Sequence, residues 1–423
     1  MGTTVKRTPL NSWHREQSAN MADFGGYDMP LWYSSVKDEH LAVLTGAGIF
    51  DTSHMAAVTV TGPDAAALLQ YCFTNNLDAC MGPARKPLAP GRCVYGAFLN
   101  EKGETIDDAI IFFIETNRYL VVINAGMGGI VADHLKQHIS GRNAHITDLT
   151  DQLGKMDIQG PAAAKILAQI LADPKAVFAK MPYFSFKGYF DNASPMADAV
   201  RLDDGTPILL SRTGYTGEFG FEIFLAPDKL QRLWERLLEA GRSYDIKPCG
   251  LAARDSLRAG AVLPLSHQDI GHWPFINHPW PFALPFTADQ TGFTKNFIGR
   301  SALEKQKDVS FTHAFVGKDL RKISAGEESR VIDADGRKIG TVLTCVTDMG
   351  IGRHKDKIFS VASPNKPEGF KSKGLCCGFV RVNRKLSPGE QVNIADSRRT
   401  ISVTIADDVR PHRTARKPMT DML

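Results

Sequence analysis

Val58-Thr59-Val60-Thr61 alternates apolar and polar positions as a strand does, and Gly62-Pro63 then turns into a helix-forming run at 64–70. The pattern returns at 155–159, where Lys155-Met156-Asp157-Ile158-Gln159 leads through Gly160-Pro161 into a second helical run at 162–168. Proline suits the first helical turn, where its missing N–H is no loss, and the glycine before it supplies the sharp strand-to-helix turn. Strand pairs follow each copy. Residues 109–114 and 119–123 flank the polar turn 115–118 and predict a β-hairpin. Segments 199–202, 207–211 and 219–225 predict further strands, and 127–138 and 228–240 predict helices. Two strand–Gly-Pro–helix–strand passages predict two related α+β units that share an interface.

Past Gly299 the periodicity shortens. Residues 301–307 predict a short helix, and 312–316, 330–333, 338–345, 374–382, 391–394 and 400–406 predict the strands of a small antiparallel β-domain. Segment 350–373 interrupts them with five Lys, one Arg and two Pro, a long basic loop that is either a solvated insertion or a contact for a partner or substrate.

The 423 residues exceed one ordinary core, so the patterns belong to two or three domains. With 43% hydrophobic and 23% charged residues the chain is globular, and a net charge of +4 is too small an excess to predict nucleic-acid binding. Seven cysteines without a C-x-x-C pair read as reduced thiols of a cytoplasmic protein, with neither a disulfide framework nor a zinc ribbon. No apolar run approaches the roughly 18 residues of a membrane span, and residues 1–10 lack an apolar signal core.

Three stretches carry candidate chemistry. The strand at Ile106-Asp107-Asp108-Ala109 opens with two acids and continues apolar; neighbours on a strand point to opposite faces, so one acid faces a cleft unless it caps a turn. A carboxylate in a cleft serves as proton acceptor or electrostatic anchor. Gly214-Tyr215-Thr216-Gly217-Glu218-Phe219-Gly220 combines glycines that permit close approach to a ligand with a stacking ring at Tyr215 and an acceptor pair at Glu218. These suit a planar ring that bears N–H and NH₂ donors. Arg254 and Arg258 lie one helical turn apart, as surface salt bridges or as a guanidinium site for a carboxylate.

With these stretches the first 300 residues resemble the aminomethyltransferase family, the T-protein of the glycine cleavage system. The matches include Thr8-Pro9-Leu10, Gly48-Ile49-Phe50-Asp51-Thr52-Ser53-His54-Met55, Ile106-Asp107-Asp108, Gly214-Tyr215-Thr216-Gly217-Glu218, Ala253-Arg254-Asp255 and Phe297-Ile298-Gly299-Arg300. The resemblance implies an α+β fold, a three-domain cloverleaf in which two interleaved α+β units (1–300) surround a central folate channel. A small antiparallel β-barrel (301–412) and a tail (413–423) follow. It further implies Asp107 as the catalytic carboxylate, Glu218 as the pterin-binding acid, and Tyr95, Asn124 and Arg254 as folate contacts beside Tyr215. The implied reaction moves a one-carbon unit from the aminomethyl-lipoyl arm of an H-protein to tetrahydrofolate and releases ammonia. The implied protein is a cytoplasmic monomer or homodimer, with no membrane or nucleic-acid partner.

Two departures from the family pattern leave alternatives. Residues 263–282 carry four aromatics (Trp273, Phe275, Trp280, Phe282) and three histidines (His267, His272, His278) where relatives place an acidic segment. They read as interdomain packing, as an aromatic wall for a cationic methyl donor, or as metal ligands, and their spacing does not favour the last. The C-terminal region carries Val346-Thr347-Asp348-Met349 in place of the usual Ser-Pro, together with the basic insertion. The competing functions are therefore a tetrahydrofolate-dependent demethylase of a small sulfonium, betaine or methyl ether, and a non-catalytic folate-binding iron–sulfur assembly factor.

Overall fold

A computed structural model of the chain describes residues 5–306 and 310–423. The first Gly-Pro passage becomes part of a five-stranded antiparallel sheet, in the order Arg92–Leu99, Thr105–Glu115, Arg118–Ile123, Ala56–Thr61, His145–Asp148. Its hairpin turns at Asn117, whose φ of 63° an Asn tolerates. Helices Ala65–Cys72 and Gly128–Gln137 cover one face, packing Leu68, Leu69, Val131 and Leu135 on Val58, Ile111 and Val121.

The second passage builds a six-stranded sheet in the order Phe186–Lys187, Leu209–Ser211, Gly220–Leu225, Gly154–Gln159, Gly48–Asp51, Lys247–Pro248. Helices Ala163–Leu167 and Leu230–Ala240 bury Leu167, Leu233, Trp234 and Leu237 against Ile158, Phe221 and Ile223. The remaining faces of the two sheets meet through Phe112, Leu120 and Val122 on one side and Phe186, Leu209 and Phe224 on the other. The result is a helix–sheet–sheet–helix stack. One strand is exchanged: Gly48–Asp51 precedes the whole first sheet in the chain, yet pairs antiparallel with Gly154–Gln159 and parallel with Lys247–Pro248.

Both Gly-Pro turns need their glycine. Gly62 and Gly160 sit at φ +111° and +126°, and an added Cβ would come within 2.6 Å of the Asn143 carbonyl oxygen or 2.5 Å of the Gly46 one.

All six segments predicted past residue 310 are strands, and they close a barrel in the order Phe311–Gly317, Leu375–Val382, Lys338–Asp348, Gly326–Ile332, Gln391–Ala395, Thr400–Ile405. Alternating residues such as Phe315, Val331, Val342, Val380, Ile394 and Val403 fill its interior. The preceding helix spans Arg300–Lys305, and the expected end at Lys307 lies outside the described residues.

Two expectations are corrected. Segment 199–202 is a 3₁₀ turn (Ala197–Ala199) followed by an isolated bridge from Arg201 to Pro207, because Pro207 has no N–H to extend a ladder. Segment 350–373 is not a structureless loop: Ile351–His354 and Lys357–Ser360 form a hairpin anchored by fully buried Ile351.

Helix Leu251–Gly260 joins the stack to the barrel. His40 bonds Ser256 at 2.7 Å and the Asp348 carboxylate at 2.9 Å, while Arg258 is enclosed by Asp255, Asp269 and Thr344. Arg410 bridges Asp348 (2.5 Å) and Glu218 (3.1 Å), and all three side chains are buried. Burial alone would raise the Asp348 carboxyl, but the Arg410 charge and His40 hold it well below the ordinary carboxylate range. Gly260 makes room for this contact, since a Cβ there would lie 1.8 Å from Asp348 Oδ2.

Candidate active site

Strand alternation separates the two acids. Asp107 turns inward with Ala109 and Ile111 and is fully buried, whereas Asp108 shares the half-buried face of Ile106 and Ile110. Asn124 ends the neighbouring strand and ties the pair together. Its backbone N–H donates to Asp107 Oδ2 at 3.0 Å, and its Nδ2 donates to Asp107 Oδ1 at 2.8 Å and Asp108 Oδ1 at 2.6 Å. Ser266 Oγ donates to Asp107 Oδ1 at 2.7 Å, and the Tyr95 hydroxyl donates to Asp108 Oδ2 at 2.8 Å.

Asp107 is therefore saturated with donors, and Asp108 is less so. Burial, followed by the charge of Asp107, pushes the Asp108 carboxyl up to about 6, against the opposing hydrogen bonds from Tyr95 and Asn124. Burial and the Asp108 charge also push the Tyr95 phenol well above its ordinary range, so it stays a donor. His267 Nε2 lies 3.4 Å from Asp107 Oδ1, and that contact raises the imidazole above its ordinary value.

A second polar group descends from the other sheet. The Tyr215 ring lies 4.9 Å from the Arg254 guanidinium, and its hydroxyl donates to the Pro264 carbonyl. Arg254 donates to Asp157 (3.0 Å), Asp157 also accepts from Lys155 (2.9 Å) and Thr52 (3.0 Å), and Lys155 reaches Glu222. His54 is buried beside them, its Nδ1 unpaired among the described residues, and burial pulls its pKa down to about 4, leaving a neutral ring. A cavity of about 380 Å³ opens next to this chain of charges; its wall includes Lys6, Arg7, Tyr27, Asp151 and Ser53, and Ser53 is bonded to the Lys155 carbonyl.

The turn after helix Leu251–Gly260 joins the halves, because the Pro264 carbonyl accepts from the Tyr215 hydroxyl and Ser266 donates to Asp107. Its backbone is strained: Val262 sits at φ 58° and His267 at φ 62°. A β-branched residue there is a genuine outlier, held by its surroundings.

Tyr95, Asp107 and Asn124 thus come together, as do Tyr215 and Arg254. Glu218 points elsewhere: it accepts from Arg410 at 3.1 Å and from Thr414 N and Oγ1 at 3.2 and 2.6 Å, towards the end of the chain. The glycines of its segment admit protein instead of ligand, since a Cβ at Gly214 would lie 2.3 Å from Gln159 and one at Gly217 2.6 Å from Ala261. Arg258 is likewise committed, to buried Asp269.

The aromatics of 263–282 are mostly packing. Phe275 and Trp280 are buried, Trp280 donates to the Val262 carbonyl at 2.9 Å, and Arg381 lies over Trp273 at 4.3 Å. Phe282 alone of the four is strongly exposed (61%), and its ring lies 5.9 Å from Tyr95. Among the described residues, His267, His272 and His278 do not gather into one ligand set.

Sequence reading missed Ser266, Lys155, Asp157 and Glu222, and weighed His267 only as packing, as part of an aromatic wall or as a metal ligand. Lys155 and Asp157 did carry a signal: two apart on a strand, they share a face, and Asp157 pairs across the ladder with Glu222.

Residues 10–273, which contain both polar groups, match the GCVT N-terminal domain family. An aminomethyltransferase of Bacillus subtilis (strain 168) is 35% identical over 354 residues, covering 83% of this chain and 89% of that one. The chain belongs to the aminomethyltransferase family. An aminomethyltransferase of Bacillus mycoides (strain KBAB4) is 36% identical over 314 residues, covering 74% of this chain and 78% of that one. Glycine cleavage system aminomethyltransferase T from Bartonella henselae superposes with a TM-score of 0.73 at 27% identity, over 95% of this chain and 97% of that one. Membership makes the chain an enzyme, a transferase of one-carbon groups, related to the T-proteins of glycine cleavage. Among the described residues no helix is long and apolar enough to cross a membrane.

Proposed function

We propose that this aminomethyltransferase moves the one-carbon unit of an aminomethyl-lipoyl H-protein to tetrahydrofolate and releases ammonia. The observation that carries the reading is the half-buried Asp108, set beside a donor-saturated Asp107 and bonded to Tyr95 and Asn124. The donor set fits a reduced pterin: acceptors at Asp108 and at Glu222, whose oxygens are shared with Lys155 and Thr213, for its N–H and NH₂ groups, the Tyr215 face for its ring, and Arg254, beside Asp157, for an anionic or carbonyl oxygen.

Bound tetrahydrofolate supplies two nucleophilic nitrogens, which replace the sulfur and the amine on the transferred carbon. Each loses one proton; one of these leaves with ammonia and the other with the dihydrolipoyl thiol. Asp108 accepts and hands on the proton. Asp107 holds Asn124 and Ser266 in place and supplies the charge that keeps Asp108 basic near neutrality, so the proton-handling role expected of Asp107 passes to its neighbour. Glu218 serves as a positioning residue: through Arg410 and Thr414 it fixes the segment that carries Tyr215.

Calorimetric titration with tetrahydrofolate divides the two glutamates. Glu222→Gln should weaken binding by about 1–3 kcal/mol, because a half-donor replaces an acceptor in a buried polar site. Glu218→Gln, which acts only through the placement of Tyr215 and keeps one acceptor oxygen, should weaken it less than Glu222→Gln does. The reverse order would exchange their roles.

The donor is tested by turnover of aminomethylated H-protein at low and high ionic strength. Lys355, Lys357, Lys366, Lys371 and Lys373 of the basic hairpin segment are all exposed, and they favour docking of an acidic carrier. Robust methylenetetrahydrofolate formation that salt suppresses is the expected result. No turnover with a competent H-protein, together with methyltetrahydrofolate made from a small sulfonium or betaine, would replace this reading with a demethylase.

A further inference from the structure

On the outer face of the first sheet, apart from the polar groups above, one possible ligand atom from each of Cys72, His134 and His138 lies within 4.8 Å of the other two. We propose that these three side chains form a binding site for a soft monovalent metal ion, Cu⁺. Cys72 is the last residue of its helix and is 1% exposed; His134, at 7%, lies on the facing helix Gly128–Gln137, and half-buried His138 caps that helix's C-terminus four residues on.

The imidazoles are presented as ligands. His138 Nδ1 lies 2.8 Å from the His134 carbonyl oxygen, which can only accept, so Nδ1 is the donor there and Nε2 is the ring nitrogen left to meet an ion. A ring N–H bonded to a backbone carbonyl is the usual support of a metal-binding histidine. Among the described residues His134 Nε2 is buried with no hydrogen-bond partner. An orphaned nitrogen in a hydrophobic core calls for an occupant.

Ligand type and charge select the ion. A thiolate with two imidazoles suits Cu⁺ or Zn²⁺. Structural Zn²⁺ takes four ligands, whereas three donors suffice for a trigonal monovalent ion. One thiolate cancels Cu⁺ completely but leaves a net charge with Zn²⁺, in a core that already feels Arg142 and Lys295. Binding displaces the Cys72 thiol proton: the S–H bond breaks, an S–Cu bond forms, one H⁺ leaves, and copper stays monovalent.

The test uses the full chain, anaerobic and reduced, with Cu⁺ titrated against a chromogenic chelator. Cys345 and Cys376 are replaced by Ser throughout, because their neighbouring thiols would take the same ion. One equivalent per chain is expected, with an X-ray absorption spectrum of one sulfur and two nitrogens. Loss of an outer partner alone costs about 10–100-fold in metal affinity. His138→Gln, at a half-buried position that should still fold, and Cys72→Ala should therefore lose at least ~100-fold. Undiminished binding in folded His138→Gln, a spectrum without sulfur, or preference for Zn²⁺ over Cu⁺ would each overturn the proposal.

Discussion

Asp108→Asn should lower turnover by about 10²–10⁴ while tetrahydrofolate binding falls only a few-fold, because the side chain keeps its shape and loses its basicity. Its pKa near 6 predicts that wild-type activity rises through that pH and then levels, and that the variant lacks this limb. A carboxyl raised on folding disfavours the folded state once pH passes its unfolded value near ~3.9, and relief of that cost offsets part of what an NH₂ loses against Asn124 and Tyr95, so Asp108→Asn should lower the unfolding midpoint at pH 7 less than Asp107→Asn. Asp107→Asn behaves differently. It sets an NH₂ against donors from Asn124 and Ser266, which should cost about 1–3 kcal/mol of stability. It also removes the charge that raises Asp108, so the acid limb should move to lower pH. Stopped-assay pH profiles of both variants, read beside thermal melts, check the assignment. An unaltered profile in Asp108→Asn and an inactive but stable Asp107→Asn would hand the role back to Asp107.

Arg410→Met should be the most destabilising single change outside the site, at about 3–5 kcal/mol, because it leaves Asp348 and Glu218 buried without their partner. The Asp348 carboxyl is depressed on folding, so its contribution is fully present above the unfolded carboxylate range and is lost as pH falls towards the folded value. Wild type should lose stability on acidification below about pH 4, and Arg410→Met should lose less over the same range. Denaturant midpoints at pH 7 and pH 3 measure both effects. Equal midpoints for the two proteins at pH 7 would mean that the barrel docks by other means.

The parts of the fold that were legible share a local cause. Gly62-Pro63 and Gly160-Pro161 announce their turns because proline and left-handed glycine act within two residues. The barrel strands announce themselves because each puts alternate side chains into one narrow core. Strand parity forces the adjacent acids Asp107 and Asp108 apart without saying which one meets the cleft, and Tyr95 and Asn124 were legible only through the family resemblance. Strand Gly154–Gln159 hid its chemistry, since every residue in it is buried and its charges are satisfied across the ladder by Glu222 and from a distant helix by Arg254. Ser266 and His267 lie in a turn without periodicity, and no pattern along the chain could assign them. Glu218 misled for a related reason: its partners, Arg410 and Thr414, lie almost two hundred positions on.

The exchanged strand Gly48–Asp51 bears on how the chain is made. It leaves the ribosome with all four residues destined for burial, and its antiparallel partner follows ~100 residues later. At about 5–20 residues per second that is a wait of roughly 5–20 s. Its parallel neighbour, Lys247–Pro248, comes later still. The first sheet can close in the meantime, whereas Gly48–Asp51 remains an unpaired apolar edge. Vectorial synthesis therefore imposes an order on the two halves, and a nascent chain halted before Gly154 would carry a sticky strand with nothing of its own to hold it.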